Sequence, residues 1–240
     1  MKTRDIKKRI LSVKKTQQIT RAMKMISGSK FHRLEQALFK SRDYAKALYE
    51  IIENILLRNN SIIHPLFYRK DKGGPELLIV FLADRGLCGN FNSNLLKAVE
   101  KINSENGKMK IWVIRDEVFV DNIIKKILEY YKEYSKIKIL YTEFKSVSAR
   151  KIIYEQLLPL KSDKKKYIVD YIYGIEEEEI LEQLAREFLS VKIKHVLLES
   201  ITSEESARMA AMDSASRNAE DMIVELTRAY NIARHEALIA

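Results

Sequence analysis

The sequence predicts an α/β protein with a long helical coiled coil, in which an N-terminal and a C-terminal helix pair antiparallel. Residues that interrupt helices are scarce, with seven Gly and three Pro among 240 residues, and this favours long helices. Both ends carry residues at alternating spacings of three and four, the period of a coiled-coil seam. Between them, short apolar runs alternate with helical stretches, which indicates a mostly parallel sheet covered by helices.

The N-terminal helix is predicted from Thr3 to Leu57, where the chain has no Pro and only one Gly, Gly28. At about 1.5 Å per residue it would be on the order of 80 Å long. A helix of that length cannot bury its seam against a small domain, so it needs a partner helix of similar kind. The seam positions are Ile6, Ile10, Val13, Gln17, Thr20, Lys24, Ser27, Phe31, Leu34, Leu38, Ser41, Ala45, Leu48, Ile52 and Ile55.

The partner helix is predicted at the C-terminus, with Thr202 or Ser203 as its N-cap and Glu204 and Glu205 in its first turn. No Gly or Pro follows. An alanine-lined seam would let the Ile and Leu side chains of the first helix approach closely. The alternative is that both segments are core helices of a bundle. The predicted seam is Met212, Ala215, Ala219, Met222, Leu226, Ala229 and Ala233.

The middle of the chain predicts a sheet domain. Its predicted strands are Pro75–Ala83, Lys110–Ile114, Ile137–Phe144 and Tyr167–Gly174. Its predicted helices run over about Ser93–Asn103 and Val118–Tyr134, and from Glu177 to at least Val191. The predicted division therefore places a coiled-coil shaft at residues 1–60 and 200–240 and an α/β globular domain at residues 61–199.

The basic character of the chain, a net charge of +10 at pH 7, resides in one segment. The first 33 residues contain eleven Lys or Arg and one acid, Asp5, whereas the rest of the chain carries equal numbers of both signs. A solvated helix face normally mixes both signs, so this segment predicts an acidic partner. Nucleic acid is the alternative partner. Against it, Arg9 and Lys24 lie among apolar residues instead of on groove-facing stripes.

The turn DRGLCGNFNSN after the first strand is where an α/β enzyme would bind a ligand. Gly86 and Gly89 do not complete a dinucleotide or phosphate-loop motif, so a small enzyme with a ligand in the Asp84–Asn92 turn is the weaker hypothesis. Cys88, the only cysteine, fits a reducing compartment and has no His in the sheet region to activate it. The acids Glu176–Glu179 point around a helix axis and do not converge. The sequence predicts no catalytic residue, no metal and no cofactor.

Three stretches carry a resemblance to a known family. They are IKKRILSVKKTQQITRAMKMISGSK from Ile6, DRGLCGNFNSNLL from Asp84, and ESITSEESARMAAMDSASRNAEDMIVELTRAYNIAR from Glu199. Their order and spacing resemble the gamma subunit of the rotary, F-type ATP synthase. The resemblance implies an antiparallel coiled coil of the terminal helices with a Rossmann-like, mostly parallel sheet domain.

The resemblance also implies a role as a central rotor shaft. The shaft would lie inside the hexamer of alternating alpha and beta subunits, and ion-driven rotation of the c-ring would turn it. The turning shaft would change the conformation of the catalytic beta subunits, while the chain itself would be non-catalytic. The globular domain would contact the epsilon subunit and the c-ring. This implies a peripheral protein on the cytoplasmic face of a bacterial inner membrane, with no nucleic-acid partner.

The matching motifs imply contact residues. Beta-subunit contacts are implied at Arg21, Met23, Lys24, Met25, Lys30, Arg234 and His235. Subunit contacts of the globular domain are implied at Asp84, Arg85, Gly86, Leu87, Cys88 and Asn92.

The sequence departs from the family pattern near its C-terminus. His235 replaces the Gln of an Arg-Gln pair, and Leu238 and Ile239 replace Ile-Thr. The family continues past ALIA, so we expect a shorter shaft tip, and the middle domain is also shorter than usual. These departures predict altered contacts with the beta and epsilon subunits and leave the fold unchanged.

Overall fold

The computed structural model describes residues 3–58, 66, 74–107, 109–115, 119–160 and 177–239. It contains two long helices and a four-stranded sheet, which confirms the predicted fold class. In chain order the elements are α1 (Thr3–Arg58), β1 (Glu76–Phe81), α2 (Phe91–Asn106), β2 (Lys110–Ile114), α3 (Val120–Glu133), β3 (Lys136–Phe144), β4 (Arg150–Leu158) and α4 (Glu177–Ile239).

The sheet has the strand order β2-β1-β3-β4. β1 pairs parallel with β2 and with β3, whereas β3 and β4 form an antiparallel hairpin. The first three strands were predicted. The predicted strand at Tyr167–Gly174 lies outside the described residues, and β4 was not predicted. In this hairpin strand Lys151 is exposed and Glu155 is half-buried. The strand therefore lacks the continuous apolar run that is typical of a buried parallel strand.

The described chain divides into two compact units. The coil unit consists of residues 1–32, 85–89 and 204–240, and the sheet unit consists of residues 33–84 and 90–203. Compactness and function divide a chain by different criteria, so the division into a shaft at 1–60 and 200–240 and a domain at 61–199 stays a prediction.

Within the coil unit, α1 and α4 run antiparallel. Contacts pair residue 20 with 216, 24 with 213 and 30 with 205, so that one number rises as the other falls. At Gly28, a Cβ atom would lie 3.4 Å from the sulfur of Met209, which is ordinary packing distance. The helices are therefore in direct contact through small side chains.

The predicted seam of α1 is confirmed at the described positions, with one exception. Lys24 is exposed, and the other seam residues are buried or half-buried. The most buried in the coil unit are Ile6, Thr20, Ser27 and Phe31. The polar and small residues of this seam are therefore true core positions.

The predicted seam of α4 is right at five of its seven positions. Met212, Ala215, Ala219, Leu226 and Ala233 are buried or half-buried as predicted, but Met222 is 43% exposed and Ala229 is exposed. The helix also turns Ser216, Ile223 and Tyr230 inward, so that together with Met212, Ala219, Leu226 and Ala233 the inward positions alternate between spacings of four and three. The prediction favoured alanine because it is small, whereas Ser216 is held inward by a hydrogen bond to α1.

The predicted start of the C-terminal helix at Thr202 or Ser203 is wrong, because α4 is continuous from Glu177 to Ile239. Both hydroxyl residues lie inside the helix with 0% exposure. The Ser203 hydroxyl donates to the backbone oxygen of Thr142 at 3.1 Å, so it bonds to β3 instead of capping a helix.

The core of the sheet unit lies on one face of β1. Leu77, Ile79 and Phe81 project there together with Ile137 and Ile139 of β3, and α1, α3 and α4 supply the covering side chains. Leu78 and Val80 are buried too, so the central strand is covered on both faces, as the alternation of side chains along a strand requires. None of the described helices carries a stretch apolar enough to cross a lipid bilayer.

Candidate functional site

A polar pair lies at the centre of the coil unit. The Thr20 hydroxyl is 2.7 Å from the Ser216 hydroxyl, and both residues are buried. Each hydroxyl also reaches its own helix, Thr20 at the Gln17 oxygen and Ser216 at the Met212 oxygen. The seam is therefore polar without leaving either hydroxyl unsatisfied.

Three predicted contact cations of α1 meet acids of α4. Arg21 lies 3.1 Å from Glu220, and Lys24 lies 2.5 Å from Asp213. Lys30 approaches Glu205 at 3.8 Å. The hydrogen bond from Lys24 lowers the pKa of the Asp213 carboxyl. Part of the positive charge of the N-terminal segment is thus neutralised within the chain. The charge pattern alone did not indicate that acids of α4 would be its partners.

Seven other cations of the basic N-terminal segment have no such partner among the residues that the structure describes. They are exposed and make no ion pair within that part of the chain: Arg4, Lys7, Lys8, Arg9, Lys14, Lys15 and Arg33. Sequence reasoning assigned no contact to them. The charge of these side chains is available to an acidic partner.

Apolar side chains of α1 are also exposed. Ile19 is 60% exposed, Met25 75% and Ile26 59%. Ile19 and Ile26 are seven residues apart and therefore share one helix face, whereas Met23 is half-buried. Isolated exposed apolar residues are normal, but apolar residues that share a face, one of them a single turn from the unpaired Lys15, are typical of an interaction surface.

The C-terminal end of α4 is exposed as well. Arg234 and His235 are exposed, and Leu238 and Ile239 are about three-quarters exposed, at 74% and 75%. The predicted contact pair Arg234–His235 is accessible to a partner, and its contact stays a prediction.

The turn Arg85–Gly89 belongs to the coil unit and is held by α4. Arg208, whose side chain is 6% exposed, donates to the backbone oxygens of Arg85 and Gly86 at 3.1 and 3.3 Å. It also pairs with Glu204 and, at 3.0 Å, with Glu205. Burial lowers the pKa of Arg208, but its hydrogen bond to Glu204 and the nearby carboxylates outweigh burial and raise it.

The predicted contact residues of this turn differ in exposure. Asp84, Arg85, Gly86 and Leu87 are exposed, and Cys88 is buried. The Asn92 side chain, in the sheet unit, accepts from the Ala83 nitrogen at 2.9 Å and donates to the Ala83 oxygen at 3.0 Å. Asn92 therefore fixes the strand-to-helix turn, and a contact to another subunit at this residue stays a prediction.

The sheet unit contains a buried carboxylate that links three elements. Glu199 of α4, 1% exposed, accepts from Arg42 Nε at 2.8 Å and from the Phe144 nitrogen of β3 at 2.8 Å. His195 lies one turn earlier, with Nε2 at 3.4 Å from Glu199 and Nδ1 at 3.3 Å from Ser41. The hydrogen bond to Glu199 raises the pKa of Arg42. The described residues contain no cluster of His, Cys, Asp or Glu suited to a metal ion.

Comparison with known proteins assigns the chain to a family. The ATP synthase family model matches residues 2–117 and 115–239. The ATP synthase gamma chains of Geotalea uraniireducens and Geotalea daltonii are each 37% identical, over 98% of this chain and 93% of the relative. The chain belongs to the ATP synthase gamma chain family. The sequence resemblance that predicted this family is confirmed.

Solved structures agree on the fold of this gamma chain family member. A chain of the Euglena gracilis mitochondrial ATP synthase in an assembly described as OSCP/F1/c-ring matches with a TM-score of 0.64 at 15% identity, covering 99% of this chain and 90% of that one. A chain of the Tetrahymena thermophila central stalk and c-ring matches with a TM-score of 0.59 at 21% identity, covering 82% and 99%. At these identities the likeness shows the fold.

Proposed function

We propose that the chain is the central rotor shaft of an F-type ATP synthase, which couples ion-driven rotation of a membrane ring to conformational changes in catalytic beta subunits. Membership in the gamma chain family supports this role. The observation that carries the proposal is the surface of α1, where Ile19, Met25 and Ile26 are exposed beside cations. Apolar side chains exposed on a shared helix face are typical of a surface that contacts a partner.

The proposed contact on the beta subunits is an acidic, partly apolar segment. Lys14 and Lys15 make no ion pair within the described chain, so they supply charge for it. Arg21 and Lys24 remain 57% and 45% exposed in their own ion pairs, so they can share a second acid. Met25 and Ile19 supply apolar contact. Met23 and Lys30 are proposed at the edge of the same contact.

Two further contacts complete the proposal. Arg234 and His235 contact a beta-subunit loop at the far end of the shaft. The exposed residues of the turn from Asp84, together with the globular domain at residues 61–199, contact neighbouring stalk subunits, epsilon and the c-ring. The chain itself is proposed to be non-catalytic and peripheral to the cytoplasmic face of the inner membrane, which it meets through the c-ring.

Co-purification tests this function. A tagged chain, expressed with alpha and beta subunits, should recover both in a complex that hydrolyses ATP. When this complex is added to membranes that contain the c-ring, ATP should drive ion pumping. The proposal fails if the folded chain recovers no alpha and beta subunits. The comparisons give no support to a nucleic-acid-binding role, and binding to duplex DNA that is tight at physiological salt with a steep salt dependence would reopen it.

A further inference from the structure

The turn Arg85–Gly89 contains a strained residue that is also exposed. Leu87 has φ +65°, in the left-handed region that costs free energy for a residue with a branched apolar side chain. Its side chain is nevertheless 59% exposed, so burial of the leucine does not offset the strain. Strain of this kind persists only where surrounding structure fixes it, and it concentrates at functional sites.

Arg208 of α4 supplies that fixing structure. Its Nε donates to the backbone oxygen of Gly86 and its Nη2 to that of Arg85, the two residues before Leu87. Nη2 also pairs with Glu204, and Nη1 pairs with Glu205, both on its own helix. The planar fork of an arginine can satisfy carbonyls and carboxylates together, which a lysine cannot do with the same geometry.

The residues after Leu87 also face α4. Cys88 is 4% exposed, and its thiol donates to the Arg85 oxygen at 3.7 Å. Gly89 has φ +62°, and a Cβ there would lie 3.8 Å from Ala211. The turn is therefore closed by its own thiol contact, is hydrogen-bonded to α4 before Leu87 and lies close to α4 after it.

We propose that Arg208 is a positioning residue, which locks this turn so that Arg85 and Leu87 stay exposed for contact with a neighbouring subunit. The exposed pair joins a positive charge to an apolar side chain, which fits an acidic and partly apolar segment of the partner. This contact rests on the proposed function, whereas the locking of the turn does not. The reactivity of the buried Cys88 thiol measures opening of the turn without any partner subunit.

Alkylation of Cys88 tests the lock in the full chain. Because Cys88 is the only cysteine, its reaction with iodoacetamide under native conditions measures opening of the turn. Arg208→Ala should make alkylation about tenfold faster or more, since opening is local. Arg208→Lys, which keeps the charge and one donor, should give an intermediate rate and serves if the alanine variant does not fold.

Arg217 provides a matched control on the same helix. It pairs with Asp213 at the same spacing of four, its side chain is 73% exposed, and it makes no described contact with the turn. Arg217→Ala should leave the alkylation rate unchanged. The lock is refuted if Arg208→Ala and Arg208→Lys both alkylate at the rate of the parent chain, or if the rate rises only in step with global unfolding measured by circular dichroism.

The coupling ratio tests the contact in the assembled complex. Arg208→Ala and Leu87→Ala should each lower ion pumping per ATP hydrolysed by a similar factor, and the double variant should lose no more than the larger single loss. Two results would refute the contact: additive losses in the double variant, or unchanged coupling in a complex whose Cys88 has become reactive. Neither result would refute the role of Arg208 in holding the turn. A chain that never assembles with alpha and beta subunits refutes the proposed function instead.

Discussion

The hydroxyls of Thr20 and Ser216 lie 2.7 Å apart in the seam of the coil unit, where a coiled coil ordinarily places large apolar side chains. Thr20 is 8% exposed and Ser216 is 6% exposed. Because each hydroxyl also reaches a carbonyl of its own helix, the pair is satisfied. A single buried polar pair of this kind can fix the register of two helices at some cost in stability.

Replacing Thr20 by Val should lower the free energy of unfolding by about 1 kcal/mol, because the shape is kept and one buried hydrogen bond is lost. Ser216→Ala should have a similar effect. The double variant should be as stable as the less stable of the two single variants. The two substitutions would then be coupled by about 1 kcal/mol. Urea unfolding followed by circular dichroism measures this, and two simply additive losses would refute the coupling.

Reversing charge at Lys14 and Lys15 should weaken coupling of ATP hydrolysis to ion pumping more than it weakens assembly. These cations have no acid partner among the described residues, so their reversal acts on a partner subunit and leaves the coil intact. Lys24→Glu should in addition destabilise the coil, since it would face Asp213. The measurement is pumping per ATP hydrolysed in reconstituted membranes.

An adjacent pair in the sheet unit gives the control for that charge reversal. Lys125 and Lys126 are exposed on α3, and reversing both changes the net charge by the same amount. Coupling should be unchanged in this control. Equal losses of coupling in the two double variants would show that net charge, and not a contact at Lys14 and Lys15, determines the effect.

Removing the Arg42 side chain should strongly destabilise the sheet unit. Glu199 is 1% exposed, and Arg42→Ala would leave its carboxylate buried without its cation, with the Phe144 nitrogen as a donor and His195 Nε2 at 3.4 Å. Loss of one partner of a buried ion pair typically costs about 3–5 kcal/mol. Lys46→Ala, an exposed cation one turn along α1, should change stability little. A loss below about 1 kcal/mol for Arg42→Ala would contradict the assigned role.

The stability of the sheet unit should fall as the pH is lowered past the ordinary pKa of histidine. Burial lowers the pKa of His195 in the folded state, and Lys192 and Arg42 oppose the attraction of Glu199 and Glu155. The unfolded chain therefore binds the proton first, and stability declines from about pH 6.5 downward, by at most about 1.4 kcal/mol per pH unit. His195→Gln should flatten this dependence in thermal melts at pH 5.5 and 7.5, and an unchanged slope would refute the assignment.

Periodicity predicted the long N-terminal helix because its signal repeats over many turns. The seam position Lys24 was the exception, since it extends to Asp213 at the surface. The start of α4 was mispredicted because Thr202 and Ser203 followed by two acids look like an N-cap. Whether such residues cap or continue a helix depends on tertiary partners, here the Thr142 oxygen, and no local pattern encodes them.

The candidate site was only partly predictable for the same reason. Arg21, Lys24 and Lys30 were predicted to contact acids of another subunit. Their acid partners on α4 could be identified only from the register of the two helices. Arg208 carries no local signal, because the carbonyls that it binds lie more than a hundred residues away in sequence. The strand β4 was not predicted for a different reason: a hairpin strand keeps polar residues on its solvent-exposed face, so it lacks a continuous apolar run.

Rotation of the chain inside an active complex tests the central claim most directly. A visible probe attached at Ser148, in the exposed turn between β3 and β4, would report the angle of the chain in surface-held complexes of alpha and beta subunits. A rotor shaft predicts that ATP drives the probe in one direction, with three stops per turn, one for each of the three beta subunits that the proposed mechanism requires. A probe that stays fixed in a complex that hydrolyses ATP would contradict the account.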